Sequence, residues 1–198
     1  MDVDSVNPPQ TLAYAAERLS DGHARRPAGT LMGMTDVLTA RGGLLALATL
    51  ATGLAAGLFY TFSVAVMRGL ADTDDRTFVL AMRQINIKIL NGLFAFSFGG
   101  ALLFTLVALA LNTGGRTVWW ITAAAVLYAA QLAVTFGINI PLNNALLAGS
   151  DPDRMTDPHG VRVAFEAKWV RWNHVRTWLV IAAFVSLIGA LAEYGRSL

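Results

Sequence analysis

Charge is segregated along this chain so sharply that it dictates the environment. No Asp, Glu, Lys or Arg occurs in residues 42–67, 89–115, 117–150 or 177–192, runs of 26, 27, 34 and 16 residues. A helix of roughly 20 apolar residues crosses the hydrocarbon core of a bilayer, and three of the runs exceed that length. The fourth is extended towards the headgroups by residues 164–177, rich in Trp and Val. Charged residues make up 14% of the chain, against roughly 25% in a soluble domain. The expected fold is all-α: an integral membrane four-helix bundle of up-down-up-down topology over residues 36–198, behind a disordered polar tail, 1–35.

The tail mixes Asp, Asn, Pro, Ser and Arg without an apolar period and buries too little surface to offset its ordering entropy. A cleavable secretory signal needs an apolar core near the start. Here Pro8, Pro9 and Pro27 interrupt a polar stretch, so the first span is expected to be its own insertion signal. Met32 and Met34, close to the switch in composition, are alternative starts.

The first span is expected over Gly43–Met67, where Gly53 and Gly57 form a GxxxG spacing that admits a neighbouring helix closely. Asp72–Asp75 make an acidic turn and N-cap. The helix starting at Asp75 is expected to continue through Lys88 into the second span, Ile89–Leu111. The third span, Val118–Ile138, carries Ala125, Ala129, Ala133 and Gly137 at intervals of four, a small-residue stripe suited to helix contact. Turn-forming residues 149–160 lead to a last helix from Val161 to Tyr194. The two long loops and their flanks hold 9 Lys and Arg against 6 on the other side, which favours long loops in the cytoplasm and a multi-pass protein of the cell membrane.

Whole classes of chemistry drop out. With a formal charge of +2 and 15 scattered basic residues, there is no footprint for nucleic acid. The absence of cysteine removes disulfides, thiolate ligands and thiol nucleophiles. The histidines are His23, His159 and His174, and the trio His159, Glu166, His174 has no HxH, HxxxH or ExxH spacing, so no metal site is expected. Ser-His-acid and phosphate-loop motifs are lacking as well.

Polar residues inside spans are costly and point to function. Trp169, Trp172, Asn173 and Arg176 fall at i, i+3, i+4 and i+7 of the last helix, on one face. An interfacial tryptophan belt with a snorkelling arginine is the alternative, although a belt has no need of the Asn. Asn139 and Asn143 flank Pro141, which costs the helix a backbone hydrogen bond. They serve either the freed carbonyl or a ligand. Gln84, Lys88 and Asn91 share a face of the second helix, and Tyr60, Thr61 and Ser63 close the set from the first span. Amides, cations and aromatic rings in one pocket suit a flat aromatic ligand bearing phenolic or carbonyl oxygens.

These segments carry a resemblance. Residues 57–70 (GLFYTFSVAVMRGL), Gln84-Ile-Asn86 with Ile89-Leu-Asn91, Asn139-Ile-Pro-Leu-Asn-Asn-Ala-Leu146 and Arg171-Trp-Asn-His-Val-Arg-Thr177 together resemble the anthrone oxygenase-like family of small four-span membrane proteins. Arg68 stands where many relatives are expected to have Pro. The resemblance implies a monooxygenase that works without metal or organic cofactor, oxidising an anthrone-like or polycyclic phenolic substrate with dioxygen. Such a substrate, once deprotonated, reduces dioxygen directly. On this basis the expected catalytic residues are His174 as base and Arg176 as enolate stabiliser. Asn139, Asn143, Asn144, Trp169, Trp172, Asn173, Tyr60, Gln84, Lys88 and Asn91 are expected around the substrate. A protein of another class, binding or moving an amphipathic aromatic or quinone-like compound without turnover, fits the same residues.

Overall fold

The computed structural model describes residues 28–151 and 154–198, with side chains from Thr39 onwards. The chain divides into two units, Met1–Thr39 and Ala40–Leu198. Helix α1 (Ala28–Thr61) runs through a π-helical turn, Phe62–Val66, into α2 (Met67–Ala71). Then come α3 (Asp75–Lys88), α4 (Gly92–Leu111) and α5 (Thr117–Val134), which passes through a second π-turn, Thr135–Asn139, into α6 (Ile140–Gly149). The last helix is α7, Pro158–Arg196. Most of the stretch read as a disordered tail lies outside the described residues. From Ala28 it is helical, because propagation from an existing helix avoids the nucleation cost and no proline follows Pro27 until Pro141.

Four stretches are long and apolar enough to cross a membrane: Thr39–Ala71, Gly92–Leu111, Thr117–Gly149 and Pro158–Arg196. The protein is an all-helical, integral membrane bundle, with no strand among the described residues. Its outward faces carry Leu50, Leu54, Leu103, Leu106, Val126, Phe136 and Ile188, all exposed. Lipid accepts such a surface and water does not. Inside, Ala48, Ala51, Ala55, Ala124, Ala183 and Ala190 let the helices approach closely around Leu45, Ile121, Tyr128 and Leu187. A second core at the long-loop end joins Phe62, Met67, Phe78, Val79, Met82, Leu146, Phe165 and Trp169.

Several local expectations are corrected. The second helix does not run on from Lys88: α3 ends, and Asn91 caps α4 by accepting from the amides of Leu93 and Phe94, both at 3.1 Å. Of the small stripe on the third span only Ala125 is buried; Ala129, Ala133 and Gly137 face outwards. The inward face is instead Ile121, Ala124, Tyr128, Gln131, Thr135 and Asn139; on it Tyr128 donates to the Phe98 carbonyl of α4 at 2.7 Å and Thr135 lies 3.5 Å from Arg176 of α7. In the GxxxG pair only Gly53 is a close approach: a Cβ there would lie 2.8 Å from Phe184, whereas Gly57 meets nothing.

The two long loops meet at one end, which settles the hairpin topology. Arg162 of α7 donates to the carbonyls of Ala71 and Thr73, both at 2.9 Å, and pairs with Asp75 at 3.1 Å and Glu166 at 2.6 Å. His159 Nδ1 sits 2.8 Å from Asp75 Oδ2. Arg83 of α3 reaches the Leu147 carbonyl at 3.0 Å. Clamped in this way, α3 presents Phe78, Val79, Met82 and Asn86 inwards at helical spacing.

Candidate functional site

Both π-turns sit against the same stretch of α7. A π-turn displaces a carbonyl from the regular ladder and recurs at functional sites. Before the first of them, the Phe59 carbonyl accepts from Asn173 Nδ2 at 3.2 Å. The same amide donates to Ser63 Oγ at 2.9 Å, and Ser63 Oγ shares a 2.9 Å hydrogen bond with Thr177 Oγ1. In the second, Thr135 Oγ1 donates to the Gln131 carbonyl at 2.9 Å and lies at the limit of contact, 3.5 Å, from Arg176 Nη1. Pro141 is thus absorbed by a π-turn. Asn139 gives its backbone no side-chain bond: its two side-chain polar atoms are buried without partners.

Arg176 is the centre of the arrangement. Its side chain is buried, with 5% of the residue exposed. Nη2 donates to Asn173 Oδ1 at 2.8 Å, and the guanidinium stands 4.6 Å from the ring centroid of Phe59 and 5.4 Å from that of Trp169. Nε has no partner, and among the described residues no carboxylate pairs with it. A buried cation without a counter-charge is expensive. Aromatic faces and amide oxygens offset part of that cost.

The guanidinium borders a cavity of about 230 Å³ at the junction of the two cores. Its walls are the rings of Phe59, Phe62, Phe94, Phe98 and Trp169, with aliphatic side chains from α3 and α6. Six polar residues reach it: Asn86, Thr135, Asn143, Asn144, Asn173 and Arg176. Asn143 Oδ1 accepts from Trp169 Nε1 at 2.8 Å and so fixes the indole plane. The volume is smaller than the roughly 300–1,000 Å³ usual for ligand pockets, and the aromatic walls favour a compact, flat occupant.

The structure therefore brings Asn143, Asn144, Trp169, Asn173 and Arg176 together, with Asn139 wholly buried nearby on the inward face of the third span. It does not bring the others. His174 and Trp172 flank Asn173 and are turned about 100° to either side of it; His174 is exposed and Trp172 half-buried outside the cavity. Tyr60, next to the inward Phe59, is 52% exposed. Gln84 and Lys88 point outwards, because the buried stripe of α3 ends on Asn86. Asn91 is spent as a helix cap. Trp178, 71% exposed, faces away from the site. Phe59, Phe94, Phe98, Thr135 and Asn86 also line the cavity, and none of them is among the expected site residues.

The other polar cluster lies at the long-loop end. There the hydrogen bond from His159, followed by that from Arg162, holds the Asp75 carboxyl below the usual carboxylate range. His159 and Glu166 are committed to Asp75 and Arg162, and His174 is elsewhere. Among the described residues no three His, Asp or Glu side chains converge as a metal-donor set.

A small integral membrane bundle with a cation buried in an aromatic cavity is the class that fold and site define. The sequence profile described as anthrone oxygenase matches residues 82–186, more than half of the chain, and the chain belongs to that family. No curated protein and no solved structure matches it.

Proposed function

We propose that the cavity takes an anthrone-like or polycyclic phenolic substrate from the bilayer and oxygenates it with dioxygen, in the cell membrane and with the long loops in the cytoplasm. The single observation that carries this reading is Arg176: a guanidinium in an aromatic cavity, unpaired by any carboxylate among the described residues and with Nε free. An enolate or phenolate is the counter-charge such a site lacks.

The chemistry follows from the lining. Apart from Arg176, the lining residues have no ionisable side chain, so no general base stands at the substrate. The cation instead favours the ionised form of the substrate, by the same charge stabilisation that serves oxyanions. The proton leaves to water. The electron-rich anion then reduces dioxygen. For an anthrone, one oxygen atom is inserted, two hydrogens leave with the other oxygen as water, and the product is the quinone. Asn173 holds the guanidinium in place, and the rings of Phe59 and Trp169 cover the substrate plane. No lining residue is a His, Cys, Asp or Glu, so the donor set does not suit a resident metal.

Oxygen uptake by the purified protein on anthrone tests the reading. Arg176→Lys is expected to lose about 10²–10³ in rate, because a point ammonium does not reproduce the planar fork that faces developing charge. Arg171→Lys and His174→Ala, both at exposed positions, should keep near-native rates. Equal activity in the Arg176→Lys and Arg171→Lys proteins would refute it. Tight binding of anthrone with no uptake in any protein would instead identify a non-catalytic carrier.

A further inference from the structure

Helix α3 buries an apolar stripe, Phe78, Val79 and Met82, and the next position on that stripe is Asn86. An amide is out of place there on packing grounds alone. It is 9% exposed, it lines the cavity, and its Nδ2 has no hydrogen-bond partner. A buried donor left unpaired costs about 1–3 kcal/mol, and a leucine, which branches at the same atom and has no polar group, would avoid that cost. Folding therefore gives no reason for the amide, whereas a ligand oxygen in the cavity does.

We propose that Asn86 is a second polar anchor, and that the ligand is an aromatic with two oxygen functions: an ionisable one against Arg176 and a hydrogen-bond acceptor against Asn86 Nδ2. The two anchors come from different walls, α3 and α7, so together they set which way round a flat ligand lies. The ring faces themselves are sequence-tolerant apolar surface and do not distinguish the two ends of a planar molecule. Discrimination between a ligand with one oxygen and one with several falls to Asn86. The inference deepens the oxygenase reading and rests on it for the charge of the first oxygen.

The test uses the full-length protein in detergent, with two probes: anthrone, which has one oxygen, and 1,8-dihydroxyanthrone, which has three. Binding is followed by quenching of tryptophan fluorescence, since Trp169 lines the cavity. Asn86→Leu is expected to weaken dihydroxyanthrone about tenfold, the size of one hydrogen bond, and to leave anthrone within about twofold. Without ligand, the same variant should melt at or above the native temperature, because an unpaired donor is gone; a clear fall would make Asn86 structural and overturn the proposal. Equal weakening of both probes, or of neither, also overturns it while the oxygenase reading stands. If Asn86→Leu behaves as expected but Arg176→Lys changes neither binding nor uptake, the oxygenase reading falls and the anchor stands. A native protein that binds neither probe refutes both.

Discussion

Arg162 holds the roof of the cavity in place, and its removal has a calculable cost. The guanidinium makes two hydrogen bonds to backbone carbonyls, Ala71 and Thr73 at 2.9 Å, two ion pairs, Asp75 and Glu166, and a stack 4.5 Å from the Phe78 ring centroid. Hydrogen bonds to a charged group contribute about 1.5–3 kcal/mol when buried. Here the Ala71 carbonyl is exposed and recovers water, so about 1 kcal/mol each is appropriate. Partly exposed ion pairs add about 0.5 kcal/mol each, and the ring contact a similar amount. Arg162→Met should therefore cost on the order of 3 kcal/mol. For a chain of this size each kcal/mol lowers the melting temperature by roughly 2–4 °C, which puts the expected loss at about 6–12 °C. Thermal unfolding of the purified protein in detergent, followed by circular dichroism, measures it. Arg162→Lys should recover only part, because one ammonium does not reach both carbonyls and both carboxylates. Arg154→Met is the control, its side chain being 87% exposed. A melting temperature of Arg162→Met within about 2 °C of native would show that α3 is held by its apolar stripe alone.

Two further outcomes follow from packing and charge. Since the folded Asp75 carboxyl is held low, first by the His159 hydrogen bond and then by Arg162, its contribution to stability is complete above the ordinary aspartate range and is lost as pH falls through the depressed folded value. The native melting temperature should drop below about pH 4 by more than that of Asp75→Asn, and parallel pH curves for the two proteins would contradict this. Gly53→Ala should cost roughly 1–3 kcal/mol by forcing Phe184 aside, whereas Gly57→Ala, with open space around it, should be neutral or slightly stabilising. Equal effects in a melting comparison would mean that neither glycine is a helix contact.

Environment, spans and the pairing of the hairpins are all legible in the distribution of charge along the chain. Those follow from the energetics of one solvent: charge-free runs belong in hydrocarbon, and turn residues such as Asp72–Asp74 and residues 150–157 lie outside it. The acidic turn Asp72–Asp75 as the cap of α3 was legible for the same reason, whereas the last helix starts at Pro158 with Asp157 as its cap, three residues before the expected Val161. Half of the site was legible too. Trp169, Asn173 and Arg176 share a helical face whatever they pack against, and a cation inside a span has to find company.

The direction in which each helix faces is a product of the assembled bundle. Rotation about a helix axis is fixed by its neighbours, and in a bundle whose outside is as apolar as its inside, hydrophobic periodicity carries no label for the inward face. The small stripe Ala129, Ala133, Gly137 consequently faces outwards while Gln131 and Thr135 face in. The same ambiguity hid that Asn86, and not Gln84 or Lys88, continues the buried stripe of α3 over the cavity. It also separated His174 from Asn173, adjacent in the chain but about 100° apart around α7. Of the two, only Asn173 meets the carbonyl of Phe59 and the guanidinium of Arg176.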